Sequence, residues 1–162
     1  MTDVIASDSP YTIEEREVLR QVAGILIPAS EEYNVPGADD EAIFARILVL
    51  AAKRAESIKA GIEALGALAR ARYDKGLLEL NAERQTSLLR VGANSRFLRQ
   101  MIHCAATAYY QDGRVLASID LKSTPPFPGG HEIEQGDWSL LDPVKARAPF
   151  YRNAKAVRKR NS

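Results

Sequence analysis

Between residues 13 and 110 the apolar positions recur at three- and four-residue intervals, the spacing that gathers them on one face of an α-helix. Thr12 and Glu15 form a capping-box pattern and Pro28 closes the segment, so Val18, Leu19, Val22, Ile25 and Leu26 predict a helix over about 13–27. "NVPGADD" then supplies helix breakers and an N-cap. The following "EAIFARILVLAAK" is apolar almost all round, which predicts a central helix buried on most sides and forming the core.

Ile58, Ile62, Leu65 and Ala69 mark a third helix over about 56–72, where Ala60, Gly61, Ala64 and Ala67 permit close packing. Gly66 weakens it by about 1 kcal/mol relative to alanine. Asn81 suits the cap of a short fourth helix containing Leu88 and Leu89 and ended by Gly92. From Ser95 to Tyr110 a fifth helix is expected to bury Phe97, Leu98, Met101, Ile102, Ala105 and Tyr109, with Arg96, Gln100, His103, Thr107 and Tyr110 opposite. After Asp112 the pattern supports at most one turn at 113–118, and Asp142 as a cap before Pro143 suits a last short helix. No strand alternation and no repeat period is present. The expected class is all-α: one bundle-like domain of about five helices (1–112), a long irregular Pro/Gly-rich arm (113–151) and a basic tail (152–162), in one structural domain overall.

Composition narrows the setting. With 46% apolar and 27% charged residues and no apolar run near the roughly 18 residues of a membrane span, the sequence reads as a soluble globular protein. "MTDVIASDSPYTIEER" has no basic start, apolar segment or twin arginine, so the cytoplasm is expected, or the periplasm if a twin-arginine signal was removed or a partner carries one. The single cysteine, Cys104, excludes an internal disulfide. A net charge of +1 conceals an asymmetry: every acidic residue lies at or before Asp142, whereas Lys145, Arg147, Arg152, Lys155, Arg158, Lys159 and Arg160 follow it. Such a tail suits nucleic acid, anionic lipid, an acidic protein surface or simple solvation.

Motifs that carry chemistry are missing. Neither histidine has a glutamate three residues before it, His103 and Cys104 point about 100° apart on a helix, and there is no G-x-S-x-G, G-x-G-x-x-G, phosphate loop or C-x-x-C-H. No catalytic, cofactor-binding or metal site is therefore expected in this chain. Two alternatives stay open: a small enzyme using His131, His103 or Asp137 as acid or base, and a helical nucleic-acid module using "KARAPFYRNAKAVRKR".

The informative stretch is "TPPFPGGHEIEQGDWSLLDP", which carries Phe127, Ile133, Trp138, Leu140 and Leu141 in a setting rich in proline and glycine. Disordered segments are poor in such residues, and structureless stretches this long inside compact domains tend to be functional. Its aromatic groups either plug their own bundle or anchor an arm on another protein, where tryptophan is a frequent hot spot.

At this point a resemblance enters. "YYQDGRVLASIDLKSTPPFPGGHEIEQGDWSLLDPVKARAPFYR" resembles the C-terminal signature of the gluconate 2-dehydrogenase subunit 3 family, in which a helix ends in Tyr-x-x-Asp-x-x-Val before a Pro-rich turn into Gly-Gly. Tyr109, Asp112 and Val115 fit the first part, and Pro125, Pro126, Pro128, Gly129 and Gly130 the second. "YTIEEREVLRQVAGILIPA" is similar to the family's opening helix with its Ile27-Pro28 ending. The resemblance implies a non-catalytic small (gamma) subunit in a heteromer with a large flavoprotein of the glucose-methanol-choline type. That partner holds FAD and oxidises a sugar or glycoside; the small subunit supports its stability or maturation, and no nucleic acid is involved. Many members carry a twin-arginine signal, which this sequence lacks. The implied partner interface comprises Tyr109, Tyr110, Pro125, Pro126, Phe127, Pro128, Gly129, Gly130, His131, Asp137, Trp138, Leu140, Leu141, Phe150 and Tyr151.

Overall fold

The computed structural model describes residues 9–92, 95–123 and 136–148. Contacts divide the chain into two compact units, Met1–Thr124 and Pro125–Ser162. The described part of the first unit contains six helices: α1 (Ile13–Leu26), α2 (Glu41–Ala52), α3 (Ala55–Tyr73), α4 (Ala82–Val91), α5 (Arg96–Tyr109) and α6 (Gly113–Ser118). There is no β-strand among the described residues, so the all-α class holds.

Local chemistry sets most helix ends. The Thr12 hydroxyl accepts the Glu15 N–H while the Glu15 carboxylate accepts the Thr12 N–H, at 3.1 and 2.8 Å, which completes the capping box of α1. Asp40, Asn81 and Ser95 cap α2, α4 and α5 by accepting first-turn N–H groups. Between α1 and α2 the chain reverses through Ser30 and Val35, which exchange two backbone hydrogen bonds of 3.0 Å, with Asn34 in the left-handed region at φ 50°. α3 ends on Asp74, also left-handed at φ 54°, whose N–H donates to the Arg70 carbonyl at 2.8 Å.

The hub of the bundle is α5, which packs against α1, α2 and α3. Its buried face is Phe97, Leu98, Met101, Cys104, Ala105, Ala108 and Tyr109. Two expectations are corrected here. Ile102 is 47% exposed and Cys104 is buried in its stead. At 100° per residue the stripe centres near Met101 and Ala108, and Ile102 falls just past its edge. The central helix is α5 and not α2, because only Ile43, Phe44, Ile47 and Ala51 of α2 are buried, and Val49 is 58% exposed. The apolar run of α2 therefore has two faces, one on the core and one turned outward.

Close approach of α3 to α5 depends on Gly61, whose backbone lies against Phe97. Between α3 and α4 a 3-10 turn, Leu77–Glu79, buries Leu77 and is followed by buried Leu80. Gln85 of α4 is a buried polar side chain with both ends satisfied: its amide donates to the Leu77 carbonyl at 3.0 Å and its oxygen accepts from Gln21 at 2.9 Å. Near the start of α1, buried Tyr11 donates its hydroxyl to the Ala51 carbonyl at the end of α2, at 2.8 Å. No described helix is long and apolar enough to cross a membrane.

In the second unit the described residues form a 3-10 turn, Trp138–Leu141, leading into a short helix α7 (Asp142–Lys145). The helix begins at Asp142, as the Asp-Pro pair suggested, but Asp142 is not its cap. The preceding turn leaves Leu141 in a right-handed helical conformation at the N-cap position, with no side-chain cap, and Asp142 pairs with Lys145 at 3.1 Å instead.

Candidate partner-binding surface

The sequence placed the interface at Tyr109, Tyr110 and the arm. Tyr109 is buried on α5, and its ring meets the exposed Tyr110 ring edge-on with centroids 5.5 Å apart. Burial pushes the Tyr109 hydroxyl pKa up, with the neighbouring Tyr110 and Asp112 acting in the same direction. Pro125, Pro126, Phe127, Pro128, Gly129, Gly130, His131, Phe150 and Tyr151 lie outside the described residues.

Within the second unit, Asp137 caps the 3-10 turn: one carboxylate oxygen accepts from the Ser139 N–H at 2.9 Å and from its hydroxyl at 2.6 Å. These bonds hold the Asp137 carboxyl below the usual carboxylate pKa. They also fix a turn that displays its apolar side chains outward. Trp138 is 68% and Leu140 74% exposed, and Leu141 and Val144 are exposed beside them in sequence. A capped turn of this kind presents side chains suited to another surface.

The second feature lies in the first unit, and sequence reasoning missed it. α1 and α2 both dock on α5. Between them runs an open groove of about 1170 Å³. The outward face of α2, Ala45, Leu48, Val49 and Ala52, forms its apolar wall; Ile13, Arg16, Glu17 and Arg20 of α1 face it. The Arg20 guanidinium lies 4.7 Å from the centre of the Phe44 ring and donates to the Asp39 carbonyl at 3.3 Å. Arg16 Nε is buried without a hydrogen-bond partner.

One end of the groove is closed by a charge network. Asp112 caps α6 through the Arg114 N–H at 3.0 Å and also accepts the Arg114 side chain at 2.9 and 3.1 Å. The same guanidinium reaches across to Asp40, the cap of α2, with bonds of 2.7 and 3.1 Å, while Arg46 stands 3.6 Å from Asp112. Arg114 thus ties the N-caps of two helices together. Its hydrogen bonds hold both carboxyls below their usual pKa, and the two aspartates raise its own. The Tyr-x-x-Asp-x-x-Val pattern has a structural meaning in this network: buried Tyr109 and Val115 flank the capping Asp112.

Among the described residues no group of His, Cys, Asp and Glu side chains is placed to hold a metal ion. His103 is exposed on α5 while Cys104 beside it is fully buried.

A family model described as gluconate 2-dehydrogenase subunit 3 matches residues 13–129. The match runs from the first residue of α1 through α6 and into the Gly-Gly pair. No curated protein and no solved structure gives a significant match.

Proposed function

The chain belongs to the gluconate 2-dehydrogenase subunit 3 family, and on that premise we propose that it is a non-catalytic small subunit that binds and stabilises, or helps to mature, a large FAD-dependent dehydrogenase of the glucose-methanol-choline type. The substrate class is a sugar or glycoside; the flavin and the acid–base groups belong to the large subunit. Family membership by itself carries the coarser statement, an accessory place in an oxidoreductase complex.

The observation that carries the finer reading is the capped turn with Trp138 and Leu140 turned outward. Large apolar side chains fixed in water gain stability only when something covers them, and aromatic anchors of this kind dominate protein interfaces. Expression of a glucose-methanol-choline-type dehydrogenase from the same genome, with and without this chain, tests the proposal. The expected result is co-purification, with soluble, FAD-loaded, active dehydrogenase obtained only in the presence of the small subunit. Equal yield, flavin content and turnover without it would overturn the reading.

A further inference from the structure

Every described residue of the second unit, 136–148, is exposed. Four large apolar side chains, Trp138, Leu140, Leu141 and Val144, fall in this short stretch and none of them is buried. Trp138 and Leu140 belong to the dehydrogenase anchor proposed above. Leu141 and Val144 stand three residues apart at the start of α7 and share one side of it with Lys145, which leaves a second apolar strip beside a cation.

The charge of the chain changes at the same place. Between Pro143 and Ser162 there are seven Lys and Arg residues and no Asp or Glu. The two carboxylates nearest to this run are engaged locally: Asp137 accepts from Ser139, and Asp142 pairs with Lys145 at 3.1 Å. Setting Asp142 against the seven cations leaves a side-chain charge of +6 from Asp142 to the end. The sequence also puts Phe150 and Tyr151 within the run.

This combination separates the candidate partners. A nucleic acid would take up the charge but offers no apolar phase to Leu141 and Val144. A folded acidic protein would have to recognise a helix of four residues by its shape. An anionic bilayer needs no such match: its phosphates hold the cations, and the boundary between headgroups and acyl chains receives the apolar and aromatic side chains. No described helix is long and apolar enough to cross a membrane, so a contact of this kind lies on the surface.

We propose that the C-terminal segment from Leu141 onward binds the surface of a bilayer containing anionic phospholipid, with its cations on the phosphates and Leu141 and Val144 at the headgroup boundary. This goes beyond the subunit reading and does not depend on it.

The test is co-sedimentation of the full chain with vesicles of phosphatidylcholine alone and of phosphatidylcholine mixed with phosphatidylglycerol, at moderate and high salt. Binding is expected to the mixed vesicles only, and to weaken as salt rises. A cation near an anionic surface contributes roughly fivefold in affinity, so Lys155→Gln, Arg158→Gln, Lys159→Gln and Arg160→Gln together should weaken binding by at least about fiftyfold. Leu141→Ser with Val144→Ser, both at exposed positions, should weaken it by about tenfold without changing the circular dichroism spectrum. Equal binding to the two kinds of vesicle, no binding to either, or full binding by the Leu141→Ser, Val144→Ser variant overturns the proposal. So does single-stranded RNA that holds the chain as tightly as the mixed vesicles at the same salt. The dehydrogenase is absent from these measurements, so the subunit reading stands or falls separately, and the fourfold glutamine variant is expected to co-purify with the dehydrogenase as the parent does.

Discussion

The side chain of Phe97 lies directly on the backbone of Gly61, so that a β-carbon at position 61 would overlap both the Phe97 Cβ and its ring. This contact sets the approach of α3 to α5. Gly61→Ala should lower stability by roughly 1–2 kcal/mol, because overpacking outweighs the gain of about 1 kcal/mol in helix propensity. Gly66, on the same helix, has only the flexible end of Arg70 near it, at 3.6 Å. Gly66→Ala should therefore stabilise by up to about 1 kcal/mol. Urea unfolding of the two variants checks the pair, and opposite signs are the expected outcome.

Tyr11 predicts an alkaline limb in the stability profile. Burial pushes its hydroxyl from the ordinary 10.0 up to about 12, with Cys104 and Glu15 adding to the effect. A raised folded-state pKa means that the contribution is fully present below pH 10 and is lost as pH rises toward about 12. Tyr11→Phe, which removes the bond to the Ala51 carbonyl, should cost about 1 kcal/mol at neutral pH and flatten that limb. Unfolding midpoints measured between neutral pH and the alkaline range report both effects.

The acid side belongs to Asp40 and Asp112. Their pKa values are depressed in the folded state below the ordinary 3.8, chiefly by hydrogen bonds from Arg114. The stabilisation is thus present above pH 3.8 and is lost as pH falls through the lower folded values. Asp112→Ala should cost about 1–3 kcal/mol, through loss of a helix cap and of a charge-assisted bond. Its acid unfolding curve should be shallower than that of the parent, as followed by circular dichroism against pH.

Cys104 has no exposed surface, and burial pushes its thiol pKa up. A thiol that is both inaccessible and protonated reacts slowly. A colorimetric thiol reagent should find no reactive group in the native protein at neutral pH and one per chain after denaturation.

Trp138, 68% exposed, offers the opposite case. Trp138→Ala should change the stability of the isolated chain by no more than about 0.5 kcal/mol, yet reduce recovery of the dehydrogenase in co-purification. A large stability loss in the isolated chain would show that the ring serves its own unit.

Helix ends were legible in the sequence wherever their chemistry is local. Thr12 and Glu15, Asn81, and the Gly92 stop after Leu88 and Leu89 all act within a few residues, and the structure has them in those roles. The packing partner of a helix was less legible, because it depends on residues far along the chain. α2 reads as a core helix from composition, but only one of its faces meets α5, and the groove follows from that non-local choice. The Arg114 clamp joins positions 74 residues apart, and no spacing rule reaches across such a distance. Gln85 reads as an ordinary polar position of a short helix; its burial depends on the 3-10 turn at Leu77–Glu79, which carries no strong periodic signal. On the candidate surface, Asp112 was picked out by motif and Trp138 by residue type, whereas Arg16, Arg20 and Val49 were not.

The position of the hub late in the chain affects how the protein is made. α1, α2 and α3 all rest on α5, so a nascent polypeptide cannot shield their apolar faces until residues 96–109 have left the ribosome. From the emergence of Ile58 until then, the chain carries Leu19, Ile43, Ile47 and Ile58 without the helix they rest on. Chaperone engagement should be heaviest in that interval and fall away once the fifth helix is free.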